Sequence, residues 1–187
     1  EDWMDWMKAL KEAGVLAEGA VTLAYSYIGP ELTYPVYYVG TIGRAKKHLQ
    51  DTAEKINREI EGVKAYISVN KALVTQASSA IPVVPLYMAI LYHVMKEKGV
   101  HEGCVEQMDR LFREKLQDPV QTDEEGRIRM DDYEMREDVQ DEVMRLWQLV
   151  NTENLEKYAD LEGYWEDFYQ MFGFRFDNID YTKDVEI

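Results

Sequence analysis

The stretch AYSYIGPELTYPVYYVGTIGRAKK, from Ala24 to Lys47, decides how this chain folds. The apolar run around its start, Ala20 to Ile28, is rich in Val, Thr, Leu and Tyr and reads as a buried strand. Gly29-Pro30 stops that strand, and a loop carries Tyr34, Tyr37 and Tyr38. Gly40-Thr41 opens a helix, with Thr41 placed to cap its free backbone N–H groups. Lys46 lies on the second turn of that helix, nine residues after Tyr37.

A tyrosine and a lysine so placed have a chemical reading. A phenol with an ordinary pKa near ~10 is a poor proton donor or acceptor at neutral pH. A nearby ammonium favours the phenolate and lowers that value. The tyrosine can then protonate a carbanion or enolate as it forms. The same ammonium has three donors to offer ribose hydroxyls. In a straight helix nine residues would span roughly 13 Å. The pair therefore requires Tyr37 to sit in the loop and fold back over the helix start, a return that Gly40 and Gly43 permit. The spacing alone is a weak signal, since thirteen tyrosines and many lysines produce it by chance, and by itself it reads as an amphipathic tyrosine on the core and a solvated lysine.

Ala65 to Val69 reads as a second strand, buried on both sides. The helix between the strands, Thr41 to about Glu61, has Ile42, Ala45, Leu49, Ala53, Ile56 and Ile60 at helical spacing. Strand, helix, strand is a crossover unit, which implies a parallel sheet with ligands at the carboxyl ends of its strands. Upstream, residues 2–13 read as a helix with Trp3, Trp6, Met7 and Leu10 on one face. Downstream, Pro85 begins a helix through Lys98, apolar on more than one face, which is buried or lines an acyl pocket with Pro82 and Val83. A helix from about His101 to Leu116 points Cys104, Val105, Met108, Leu111 and Phe112 inward. Residues 117–131 read as a loop with a short extended piece at Arg127–Met130, and Asp131 or Asp132 caps a helix to about Val150. Shorter helices are expected at about 153–160 and 161–172, before a tail at 173–187. The amphipathic helices on both sides of the loop need each other, so 1–187 reads as a single unit with a largely helical C-terminal end.

Charge is unevenly distributed. Residues 117–187 hold 21 acidic and 7 basic residues, so nearly all of the net −15 belongs there. Such a field argues against nucleic acid and anionic membranes as partners. The segment Arg44-Ala45-Lys46-Lys47-His48 is the credible place for a phosphate-bearing ligand. One cysteine, Cys104, excludes an intramolecular disulfide, and its place on an apolar face suggests a buried thiol. His48, His93 and His101 are not spaced as a metal site, and no apolar run reaches the ~20 residues of a membrane helix. The chain begins at Glu1 without Met, as an internal fragment would.

The segments YSYIGPELTYPVYYVGTIGRAKKHL, SVNKALVTQASSAIPVVPLY, VMKEKGVHEGCVEQMDRLF and GRIRMDDYEM together carry a resemblance. They resemble the trans-2-enoyl-CoA reductase and FabV-type enoyl-acyl-carrier-protein reductase family over nearly the whole chain. The resemblance implies a monomeric, NADH-dependent enzyme of the short-chain dehydrogenase superfamily, with a Rossmann-like α/β fold. Members are about twice as long, and this chain looks like their C-terminal half. Tyr37 matches the family's proton donor, Lys46 the lysine that contacts the cofactor, and Tyr27 a tyrosine on the enoyl thioester. Leu73, Val74 and Thr75 match a segment lining the NADH site.

The implied reaction reduces an enoyl-CoA or enoyl-acyl-carrier-protein to the saturated thioester in fatty acid synthesis. The bacterial cytoplasm is the expected compartment, with the mitochondrion left open. The family's glycine-rich phosphate-binding turn has no counterpart in this sequence, so the isolated chain is expected to be inactive. The rival readings are a non-catalytic fragment or assembly module that keeps the fold, and a ketone reductase, which the nine-residue gap disfavours.

Overall fold

A computed structural model of the chain describes residues 2–184. The chain, read above as one unit, divides into two compact units: Glu1–Ala72 with Glu102–Met135, and Leu73–His101 with Arg136–Ile187.

The first unit is built on a parallel sheet. Strand β1 (Ala20–Ser26) pairs with β2 (Val63–Val69) in register from Ala20↔Val63 to Ser26↔Val69. Strand β3 (Arg127–Arg129) pairs in parallel with the far side of β2, giving the order β1-β2-β3. Helix α1 (Asp2–Glu12) precedes β1, a short α2 (Tyr34–Tyr37) follows it, and α3 (Thr41–Glu59) makes the crossover to β2. The core is apolar where helix and strand periods coincide: Met4 and Met7, Ala53 and Ile56, and Ala65, Ile67 and Val69 pack together. Asn57 fastens α3 to the sheet, since its Nδ2 donates to Ala65 O at 2.8 Å and its Oδ1 accepts from Ala65 N–H at 2.7 Å.

Helix α4 (Gln76–Ser79) opens the second unit, capped by the Thr75 hydroxyl, which accepts from Ser78 N–H at 3.0 Å. Helix α5 (Val84–Glu97) is buried at nine positions, as its all-round apolar sequence requires. In the first unit, α6 (Cys104–Arg110) runs on into a π-helical turn, Leu111–Lys115. The second unit continues with α7 (Glu137–Leu149), α8 (Leu155–Tyr158) and α9 (Leu161–Gln170). Asp160 N–H reaches Ala89 O at 2.8 Å, and the Tyr92 hydroxyl reaches Asp167 Oδ2 at 2.6 Å, which holds α9 on α5.

Several details correct the sequence reading. Gly40, not Thr41, is the N-cap of α3, and no side chain caps it. Helix α7 starts at Glu137 with Arg136 as its N-cap, because Asp131 and Asp132 are occupied by Arg129 and Arg110. Cys104, Val105 and Phe112 are exposed. The α6 segment begins three residues later than expected, and its buried face is Gln107, Arg110 and Leu111. Trp6 is also exposed, since α1 buries Met4 and Met7 instead. Residues 185–187 of the expected tail lie outside the described residues.

Candidate active site

Strand β1 ends at Ser26, and Tyr27 is the next residue, so its main chain leaves the sheet at the carboxyl edge. The turn behind it needs glycine. Gly29 has φ +72°, and a Cβ there would overlap the Tyr27 hydroxyl and Thr33 Oγ1. Thr33 Oγ1 locks the turn by donating to Pro30 O at 2.9 Å. Helix α2 carries Tyr37 at its last position rather than in an open loop. Gly43 then lets α3 cross the preceding main chain, because a Cβ there would run into the Tyr38 carbonyl. Its freedom is one of space and not of φ.

The return brings Tyr27, Tyr37 and Lys46 together. The two rings meet edge to face, with centroids 4.9 Å apart at 88°. Lys46 Nζ lies 5.6 Å from the Tyr27 ring centroid and 5.1 Å from that of Tyr37. It also donates to the Tyr27 main-chain oxygen. Burial lowers the Lys46 ammonium to about 8. Burial pushes the Tyr37 phenol up, which reverses the expected depression by the ammonium. Tyr37 thus stays protonated at neutral pH, the form in which it can give a proton to carbon.

A cleft of about 330 Å³ runs beside the pair, with Ile28, Ile67 and Val69 as an apolar wall and Arg127 among its polar residues. The Tyr27 hydroxyl donates to Glu134 Oε1 at 2.9 Å, and Glu134 is fully buried. Sequence reasoning missed Glu134. It stands in GRIRMDDYEM, one acid among several, and its hydrogen bond from Tyr27 is what distinguishes it. Leu73, Val74 and Thr75 belong to the second unit, where Val74 is buried and Thr75 caps α4. Among the described residues, no group of three His, Cys, Asp or Glu is arranged to hold a metal ion. No helix among them is long and apolar enough to cross a membrane.

A parallel sheet with a helical crossover, and a tyrosine–lysine cluster at the strand end, define a Rossmann-like α/β protein. Residues 1–117 match the family described as trans-2-enoyl-CoA reductase catalytic region, and residues 122–185 match one described as enoyl reductase FAD binding domain. The chain belongs to the trans-2-enoyl-CoA reductase family.

It is 58% identical over 192 residues to the enoyl-acyl-carrier-protein reductase (NADH) of Coxiella burnetii, covering 100% of this chain and 47% of that protein. It is 54% identical over 189 residues to the trans-2-enoyl-CoA reductase (NADH) of Clostridium perfringens, covering 100% of this chain and 49% of that one. The crystal structure of Clostridium acetobutulicum trans-2-enoyl-CoA reductase in complex with NAD matches with a TM-score of 0.94 at 49% identity, over 100% of this chain and 49% of that chain. The chain spans about half the length of the relatives it matches.

Proposed function

We propose that this chain is the C-terminal half of an NADH-dependent reductase of trans-2-enoyl thioesters, a Rossmann-type domain of the short-chain dehydrogenase superfamily. The observation that carries the reading is Lys46 standing over both the Tyr27 and Tyr37 rings. NADH, when bound, supplies the hydride to the β-carbon. Lys46 retains donors beyond the one it spends on Tyr27 O, and these hold ribose hydroxyls. The backbone of Leu73, Val74 and Thr75 matches the family segment that lines the NADH site. Tyr27 donates to the thioester oxygen as negative charge gathers there. Tyr37 donates its proton to the α-carbon. The parent is a monomer of the bacterial cytoplasm, and its glycine-rich phosphate cradle lies in the other half.

The residues between 122 and 185 do not fit a flavin. No glycine-rich turn in this stretch opens a helix to cradle its pyrophosphate, and the cations of the stretch are already engaged. Arg127 pairs with Asp123, Arg129 with Asp131, Arg136 with Asp138 and Arg145 with Glu142. Lys183 pairs with Asp180, while Lys157 and Arg175 lie over the rings of Tyr158 and Tyr169. No step here passes through flavin.

The test is NADH oxidation with crotonyl-CoA and with an enoyl-acyl-carrier-protein, on this chain and on the chain rejoined to its missing half. Turnover only in the rejoined protein is the expected result. A folded, rejoined protein that turns over neither thioester would refute the reading.

A further inference from the structure

Glu134 accepts a hydrogen bond from Tyr27 of the cluster, and the mechanism above leaves it unused. It follows β3 in the first unit, with no exposure to solvent. Both of its oxygens are engaged. Oε1 accepts from the Tyr27 hydroxyl at 2.9 Å, and Oε2 accepts from Ala72 N–H at 2.7 Å. Ala72 is the residue immediately before Leu73. One carboxyl therefore holds the substrate tyrosine and the foot of the proposed cofactor wall. Its surroundings are polar and also buried: Lys71 Nζ donates to Ala72 O at 2.9 Å, and Lys71 N–H donates to Gln107 Oε1 at 2.9 Å.

A phenol has one proton. An ionised Glu134 only accepts, so Tyr27 spends that proton on it and offers a substrate nothing but lone pairs. A neutral Glu134 can donate to Tyr27 Oη instead. Tyr27 is then free to turn its own proton toward the thioester oxygen. From this geometry we propose that Glu134 is a positioning residue that sets, by the direction of its hydrogen bond to Tyr27, whether Tyr27 can donate to the substrate. The role rests on the reductase reading. It moves no proton through the carboxyl: the O–H of Glu134 stays intact through turnover, and the proton at the α-carbon still comes from Tyr37.

The closing experiment uses the full-length reductase and steady-state kinetics with crotonyl-CoA. Glu134→Gln can take the neutral arrangement, with its carbonyl on Ala72 N–H and its amide donating to Tyr27 Oη. Its kcat should stay within about threefold of wild type or rise, with KM unchanged. Glu134→Ala should lose about 30-fold or more in kcat. In a Tyr27→Phe background the same alanine should cost less than about twofold, since the hydroxyl it acts on is gone.

A Glu134→Gln enzyme as slow as the alanine variant would overturn the proposal, and so would a Gln variant that fails to fold. Equal losses from alanine with and without the Tyr27 hydroxyl would overturn it as well, by showing a role in folding alone. If Glu134→Ala does not fold, the Gln variant decides by itself. A wild-type protein with no turnover refutes the reductase reading together with this role, whereas an active wild type with a slow Gln variant refutes this role only.

Discussion

Replacing Lys46 by methionine should change stability with a sign that depends on pH. The folded state holds this ammonium at about 8, against an ordinary value of 10.5. The displacement of about 2.5, at ~1.4 kcal/mol for each pKa unit, is worth on the order of 3 kcal/mol. The side chain is only partly buried, so solvent screening reduces that to about 2 kcal/mol. Below pH 8 the folded state carries the whole cost of a partly desolvated charge. Between 8 and 10.5 the unfolded chain binds more protons than the folded one, so stability rises with pH across that window.

Methionine removes the charge but also the hydrogen bond to Tyr27 O, a loss of about 1 kcal/mol. Lys46→Met should therefore be more stable than wild type by about 1 kcal/mol at pH 7 and less stable by about 1 kcal/mol near pH 11, above both pKa values. Other groups titrate in both proteins and cancel. Urea unfolding followed by tryptophan fluorescence at the two pH values measures the difference. A variant less stable by the same amount at both values would show that Lys46 carries no desolvation cost, and the argument would fail. The rejoined enzyme should lose most of its activity with the same substitution.

Tyr37→Phe in the rejoined enzyme should lower kcat by about 10²–10⁴-fold with the circular dichroism spectrum unchanged, and near-normal turnover would remove Tyr37 as proton donor. Val83 precedes α5 with φ +77° and is exposed, so Val83→Gly should raise stability by about 0.5–1 kcal/mol in a urea melt. Glu102 takes two hydrogen bonds from Arg110, at 2.6 and 2.8 Å, and both side chains are buried. Arg110→Leu alone should cost about 3–5 kcal/mol, and adding Glu102→Leu should recover a large part of it, because the uncompensated buried charge is then gone. A double variant no better than the single would contradict that account.

How far this was readable in the sequence differs by element. The crossover was legible because two different patterns meet in it: the short run Ala65–Val69, read as a strand buried on both sides, and Ala53, Ile56 and Ile60 spaced for a helix. Tyr37 and Lys46 stood out because Gly40 punctuates the chain between them, whereas Tyr27 stood out only through the family resemblance. Three kinds of information were not local. The start of α7 was misread because Asp132, a good cap in isolation, is claimed by Arg110 from 22 residues upstream, while Asp131 is taken by its near neighbour Arg129. The net shift of Tyr37 was read with the wrong sign, since burial of the phenol raises it and no sequence pattern reports burial of one ring. Glu134 was invisible because its partners, Tyr27 and Ala72, are 107 and 62 residues away.

The Asn57 clamp has a mechanical consequence. Its amide grips both main-chain groups of Ala65, so α3 cannot slide along its own axis without breaking two bonds at once. Lys46 is eleven residues upstream on the same helix, roughly 16 Å along the axis. Its height above the strand ends is thereby fixed from a distance, as a ruler is fixed by a pin at its far end. Arrival of a ligand can swing the lysine about its rotatable bonds, but it cannot carry the backbone beneath it. The amide proton of Ala65 should accordingly be among the slowest to exchange with solvent, and should remain so whether or not the site is filled.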